Sequence, residues 1–293
     1  MTHDHNHHHT HHHHHQAPGG QDWAELGAFL DQEAAVMSGF LDQAVDVITR
    51  AVTTPPHHIA DVGCGQGAAA VALAQAFPGA HVLALDQAPA LLELVKARAL
   101  KHGVHARVTT MPGDLEALGH TLDGKDLIWA SMVLHHVEDL PRVLRALHGS
   151  LVAGGLLAIA EFGPPTQTLP EDLGVGAAGF FQRQQEAMQG VLKDHLPPGA
   201  MELDWPGALR AAGFKVVDQR TILVDLPSPL DPQARQWVAG GLRRSAERVG
   251  AVLAADDRAT LAILADPDDP RGVMLRNDVE VHAARSLFLA RKA

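Results

Sequence analysis

Tyrosine is absent from this chain of 293 residues, and cysteine occurs once, as Cys64. Without a phenol, acid–base chemistry falls to His, Asp, Glu or Lys. A single thiol forms no internal disulfide and no cysteine-rich zinc site, so no metal is expected within the fold. Basic residues are scarce as well: 23 Lys and Arg stand against 34 Asp and Glu, a formal net charge of -11. That balance repels phosphate backbones and anionic lipid, which argues against nucleic acid and membrane surfaces as partners. No apolar run reaches the roughly 18 residues of a membrane span. The N-terminus lacks the basic-then-apolar order of a secretory signal, so a cytoplasmic protein is expected.

What is present is a hydrophobic fraction of 46%, enough for a substantial core. The opening stretch, "MTHDHNHHHTHHHHHQAPGG", adds nothing to that core. Residues 1–20 are expected to form a disordered tail whose imidazoles, His3 to His15, bind Zn²⁺ or Ni²⁺ loosely. One domain is expected over 21–293. At its start Leu26, Phe29, Leu30, Met37, Phe40, Leu41, Ala44 and Ile48 recur at helical spacing, which predicts a helical segment over 21–54 with a weak point at Gly39.

Beyond Pro55 and Pro56, apolar runs of strand length alternate with helical patterns: "HHIADVG", "HVLALD", "ARVTTMPGD", "DLIWASMVL" and "GLLAIAEFG" are each a strand candidate. Five strand-then-helix units predict a parallel sheet covered by helices, with ligands at the C-terminal strand ends. This core spans 55–163. Helical additions are expected over 164–200 and 232–265, while 201–231 and 266–293 complete the sheet. Asp204 and Asp231 are the expected caps of two later helices, Pro232 follows at a first helical position, and "ARSLFLARKA" is the expected last strand.

The most informative stretch is "DVGCGQG", residues 61–67. Alternating glycines at a strand end let the backbone turn sharply and approach a ligand beside a helix N-terminus. Gly63, Gly65 and Ala68 satisfy the dinucleotide pattern GxGxxG/A, and Asp61, Gly63, Gly65 and Gly67 satisfy the DxGxGxG pattern of S-adenosylmethionine binders. Asp86, closing the second strand, suits the ribose of either. Asp61 favours a cationic cofactor with an amino group. "GDL", Gly113 to Leu115, sets an acid and an apolar side chain where an adenine is held, and an LHH turn and a GG turn follow.

Taken together and in this order, these motifs resemble the class I S-adenosylmethionine-dependent methyltransferases, over residues 57–163 for the motifs and 23–293 for the architecture. The resemblance implies an α/β, Rossmann-like, doubly wound seven-stranded sheet of order 3-2-1-4-5-7-6 with the last strand antiparallel, and extra helices forming a substrate lid. It implies that S-adenosyl-L-methionine lies with its methionine part on Gly63, Cys64, Gly65 and Gly67. Its ribose then meets Asp86 and Gln87, its adenine lies between Asp114 and Leu115 beside Gly113, and backbone at Ala130 faces the methionine end. S-adenosyl-L-homocysteine is the implied product.

Methyl transfer needs in-line placement, with a base only where the acceptor carries a proton. His135, His136 and Glu161 are the candidates beside the expected methyl position; the competing reading of LHH is a turn in which one imidazole packs and the other bonds the backbone. Trp129 suits a cofactor cover or the core. Arg243, Arg244 and Arg248 suit an acidic substrate or a solvated helix face. The apolar residues Phe180, Phe181, Met188, Trp205, Trp237 and Met274 are expected to line a pocket for a small organic acceptor, methylated at O, N or C, in a monomer or homodimer. Three rival readings stand beside this one: a fold relative that binds the cofactor without methyl transfer, a dinucleotide oxidoreductase, and a non-catalytic binder of metal or cofactor. Cys64 is expected to pack away from the ligand.

Overall fold

The computed structural model describes residues 23–293; the histidine-rich tail lies outside the described residues. Two helices open the chain, α1 (Trp23–Val36) and α2 (Ser38–Ala51). They are separated at Met37 rather than at Gly39, which sits inside α2 with open space around it. Glycine tolerates a helix interior, whereas Met37 leaves the helical region (φ -89°, ψ 10°).

The core then alternates strand and helix: β1 (His58–Val62), α3 (Ala68–Ala76), β2 (His81–Asp86), α4 (Pro89–Lys101), β3 (Val108–Pro112), β4 (Lys125–Ser131), α5 (Leu140–Ser150) and β5 (Leu151–Phe162). Four more helices and two strands follow: α6 (Phe180–His195), α7 (Trp205–Ala211), β6 (Phe214–Leu226), α8 (Pro232–Val249), α9 (Ala255–Ala265) and β7 (Val281–Lys292). The seven strands lie in the order β3-β2-β1-β4-β5-β7-β6. β7 runs antiparallel to both its neighbours, and the other pairings are parallel. β5 begins earlier than its apolar run suggests, because Gly154 (φ +76°) and Gly155 form an irregularity within the strand instead of a turn before it.

Alternation along the buried strands divides the core into two layers. Ile59, Leu127, Trp129, Ala158, Ala160, Leu287 and Leu289 face α2, α3, α8 and α9. Ala60, Val62, Ile128, Ala130, Leu157, Ile159 and Phe288 face α5 and α7. Each fully buried Leu or Ile in these layers contributes about 1.5–3 kcal/mol. Asp204 caps α7 by accepting the Gly207 N–H, and Asp231 caps α8 by accepting from Gln233 and Ala234. Among the described residues no helix is long and apolar enough to cross a membrane.

The loop between β1 and α3 turns through three left-handed glycines, Gly63 (φ +66°), Gly65 (φ +52°) and Gly67 (φ +81°). A Cβ on Gly67 would lie 2.8 Å from Val95 Cγ1 on α4, so this glycine also sets how closely two helices approach. Gly67→Ala is therefore expected to cost about 2–4 kcal/mol from backbone strain and overpacking, read as a lowered urea midpoint. An unchanged midpoint would show that the loop relaxes freely.

Candidate active site

Two adjoining cavities open at the C-terminal ends of β1, β2 and β4, and they share Gly63, Asp86 and Val133. The larger, about 320 Å³, is floored by the glycine loop, Asp61, Trp129, Ser131 and Met132, and roofed by Leu30, Glu33, Ala34, Phe40 and Leu41 of α1 and α2. The smaller, about 220 Å³, is lined by Gln87, Gly113, Asp114, Leu115, Glu116 and His136. They form two lobes of one groove bent around Asp86.

Asp86 stands at the bend because it closes β2 next to the loop. Its Oδ2 accepts the Gly65 N–H (2.9 Å) and its Oδ1 accepts the Ala88 N–H (2.9 Å), which fixes the carboxylate against the glycine turn. Lone pairs remain on both oxygens for ligand hydroxyls. In the smaller lobe Asp114 accepts the Glu116 N–H through Oδ1 (2.8 Å). Burial of His136, with His135 beside it, lowers its pKa to about 4, so its imidazole is neutral at pH 7.

Asp61 is the most unusual group in the larger lobe. It is 1% exposed, and its Oδ2 has no hydrogen-bond partner. Burial pushes its carboxyl up to about 7, opposed by a hydrogen bond from the Ala70 backbone and reinforced by the charge of Asp86. Directly across the β1–β4 ladder sits Trp129, whose Nε1 also lacks a partner. Buried polar groups are nearly always satisfied, so two neighbouring orphans beside a cavity mark a place where a ligand completes the bonding.

Cys64 lines this lobe and packs against the core at the same time, so it does not turn fully away from the ligand space as expected. Burial, followed by the charges of Asp61 and Asp86, raises its thiol pKa, which leaves the sulfur protonated and unreactive. Ala130 is a ladder residue paired with Val62 and Ile159, its side chain faces the opposite layer, and it is not among the residues that line the cavity. The residues at this end of β4 that line the cavity are Trp129, Ser131 and Met132. Met132 holds φ +53°, the only positive φ outside glycine among the described residues, and donates its N–H to Ala160 O (2.8 Å). Such a strained residue at a strand end commonly marks a functional turn, and no feature of "ASMVL" announces it.

His135, His136 and Glu161 are not brought together at the larger lobe. His136 lines the smaller lobe. Glu161 is 1% exposed; its Oε1 accepts the Leu134 N–H (3.0 Å) and its Oε2 accepts His135 Nδ1–H (2.6 Å). His135 borders a separate cavity of about 230 Å³ between α5, α7 and residues 197–203.

The helical additions also fall elsewhere. No residue of 164–200 or 232–265 lines the larger lobe: Phe180 is core, Phe181, Met188, Trp237 and Met274 pack against that same layer, and Trp205 lies in the other. Arg243 and Arg248 are exposed, while Arg244 stacks over Phe29 at 3.5 Å and ties α8 to α1. Three further contacts hold α1 over the cavity: Gln66 Nε2–H to Leu30 O (2.9 Å), Arg98 to Asp31, and Arg285 to Glu33 (3.0 Å). Among the described residues no group of three or more His, Cys, Asp or Glu is placed to hold a metal ion.

The bent, two-lobed groove lies at the switch point of a doubly wound sheet, the place where sheets of this class bind ligands. Residues 59–155 match the family model described as a methyltransferase domain. A trans-aconitate 2-methyltransferase of Methylobacterium radiotolerans is 30% identical over 231 residues, covering 70% of this chain and 85% of that protein. A malonyl-[acyl-carrier protein] O-methyltransferase of Dechloromonas aromatica is 37% identical over 111 residues, and that match spans only 38% of each protein. The crystal structure of the [4+2]-cyclase SpnF shares the fold, with a TM-score of 0.51 at 21% identity over 86% of this chain and 81% of that one. The chain belongs to the class I S-adenosylmethionine-dependent methyltransferases.

Proposed function

We propose that the chain transfers a methyl group from S-adenosyl-L-methionine to an O or N nucleophile of a small organic molecule. The observation that carries this reading is the orphaned, buried carboxyl of Asp61 in the larger lobe. A cofactor with an α-ammonium group supplies the cation that this acid lacks, whereas a dinucleotide pyrophosphate would be repelled by it. The rest of the groove is consistent: Asp86 suits ribose hydroxyls, and Asp114, Leu115 and neutral His136 suit an adenine amine and ring.

When bound, the cofactor supplies an electrophilic methyl on a sulfonium. The protein's own share is positioning and exclusion of water, carried by Met132 and Val133 at the floor and by α1 and α2 above. Glu161 and His135 act through the turn they hold, Leu134 to His136, and take no proton from the acceptor. The trans-aconitate relative is named for methylation of an organic acid, which supports a small acceptor without identifying it, whereas the malonyl relative is named for an acceptor carried on a protein.

Calorimetry with S-adenosylhomocysteine and NAD tests the cofactor assignment. Micromolar binding of the first and no binding of the second is expected. Binding of NAD alone would overturn the proposal. A mass gain of one methyl group in an incubated metabolite extract, lost on Asp86→Ala, separates methyl transfer from a cofactor-dependent reaction of another kind.

A further inference from the structure

The acids of the larger lobe are accounted for by the cofactor, except one. Asp61 and Asp86 serve the ammonium and the ribose, which leaves Glu33 on α1 facing Arg285 on β7. Arg285 is the only Lys, Arg or His among the described residues that lines this cavity. It pairs with Phe162 of β5 and alternates with Leu287 and Leu289, so it sits on the cavity side of the sheet, at its C-terminal edge. Its side chain is 15% exposed. Of the five N–H donors of a guanidinium, one reaches Ala284 O (3.1 Å) and one reaches Glu33 Oε1 (3.0 Å).

We infer that the methyl acceptor is a small carboxylic acid whose carboxylate is seated on Arg285, taking over the place of Glu33. The inference rests on the methyl-transfer reading of this cavity. Its geometric basis is an exchange of like for like. Arg285 is fixed in the sheet, while Glu33 is carried by the roof helix, so an incoming carboxylate replaces one fork of the ion pair without stranding a buried cation. Trp129, with its unpartnered Nε1, adds a second donor on the same floor. An amine acceptor finds no such complement, because each acid here is already engaged by the cofactor or by Arg285. A carboxylate is ionised at neutral pH and presents no proton for a base to remove, which matches a lobe lined by no imidazole. The cavity of about 320 Å³ also takes the methionine end of the cofactor, which restricts the acceptor to a small acid.

The test titrates the full-length protein, saturated with S-adenosylhomocysteine, with malonate, succinate, glutarate and benzoate, and with succinamide as the neutral control. At least one acid is expected to bind, and succinamide to bind at least about tenfold more weakly than succinate. Arg285→Gln should lower acid affinity about tenfold or more and Arg285→Lys less, in each case beyond any change in that variant's own affinity for S-adenosylhomocysteine. Glu33→Gln should tighten acid binding, because it removes the competing carboxylate. A purely structural ion pair predicts that Glu33→Gln and Arg285→Gln weaken acid binding alike, and that result overturns the inference. Binding of S-adenosylhomocysteine with no acid bound overturns it while leaving the cofactor assignment standing. Failure of S-adenosylhomocysteine itself to bind sinks the proposed function. Should Arg285→Gln fail to fold, Glu33→Gln decides alone: tighter binding supports the inference, and unchanged or weaker binding rejects it.

Discussion

Asp61→Asn is expected to abolish most cofactor affinity and, at the same time, to make the cofactor-free protein more stable at pH 8. Both effects follow from a carboxyl held without a partner. Its pKa rises from 3.8 to about 7, so the folded state keeps a proton that the unfolded state has lost between those values. Stability from this group is therefore fully present below about pH 4 and is lost as pH rises through about 7. At about 1.4 kcal/mol per unit, the full shift corresponds to about 4 kcal/mol, and relaxation of the site leaves about half of that. Asparagine removes the ionisation. Its Tm without cofactor should exceed that of the wild type by about 5 °C at pH 8, and the gap should narrow markedly at pH 5 and close near pH 4.

Cofactor binding should move in the opposite direction. Removing one member of a buried charge pair costs about 2–5 kcal/mol, so the dissociation constant of Asp61→Asn should rise by about 10² to 10³. The wild type should also bind less tightly below pH 7, by up to about tenfold per unit, because the ammonium needs the ionised acid. Thermal melts at the two pH values and calorimetry across pH 5.5–8 read these effects. Equal melting at both pH values together with unchanged affinity would show that Asp61 is not the ammonium partner.

This behaviour could be foreseen in part from "DVGCGQG", because a carboxylate before a glycine turn sits at a strand end by construction. The sheet was legible for a related reason: buried parallel strands read as short apolar runs, and turn residues separate them. What the pattern conceals is which face a strand-end residue serves. Glu161 lies in β5 one position beyond Ala160, which pairs with Ser131 at the cavity. A single step along a strand moves the side chain to the other layer, so Glu161 shares the side of Leu157 and Ile159. The side chain of Ala130 lies in that opposite layer by the same alternation. Applied to "ARSLFLARKA", the same alternation places Arg285 with Leu287 and Leu289 on the cavity side, so the cation was readable once β7 was known to run antiparallel.

The roof was harder to read. Leu30, Glu33 and Phe40 reach the glycine loop only through tertiary contacts, such as the bond from Gln66 to Leu30 O, and no local pattern encodes those. Phe180, Trp205 and Trp237 look like pocket material because large apolar residues in late helices have no other evident use. In the folded chain they pack against the sheet, where burial of a large side chain gains most. The left-handed Met132 leaves no trace in the sequence because its conformation is imposed by the strands on either side of it.

Glu161→Ala is expected to destabilise the protein by about 3–5 kcal/mol and to weaken cofactor binding through the turn, with no signature of a lost base. The carboxylate accepts from Leu134 N–H and from His135 Nδ1–H, both buried, and alanine leaves the two donors unpaired in an apolar layer. The turn they anchor carries Val133 and His136, which line the cofactor groove, so its loosening should raise the dissociation constant of S-adenosylhomocysteine. Glu161→Gln separates a positioning role from a proton-transfer role. Its amide oxygen keeps one of the two bonds, so it should recover roughly half of the lost stability and most of the cofactor affinity. With a carboxylic acid as acceptor, turnover at saturating cofactor should recover in parallel and keep the pH profile of the wild type. A catalytic base behaves otherwise: glutamine would restore stability while turnover stayed at least about 10²-fold down. Urea denaturation, calorimetry and single-turnover rates on the two variants give this comparison, and a stable Glu161→Gln protein with turnover abolished would assign Glu161 to the chemistry.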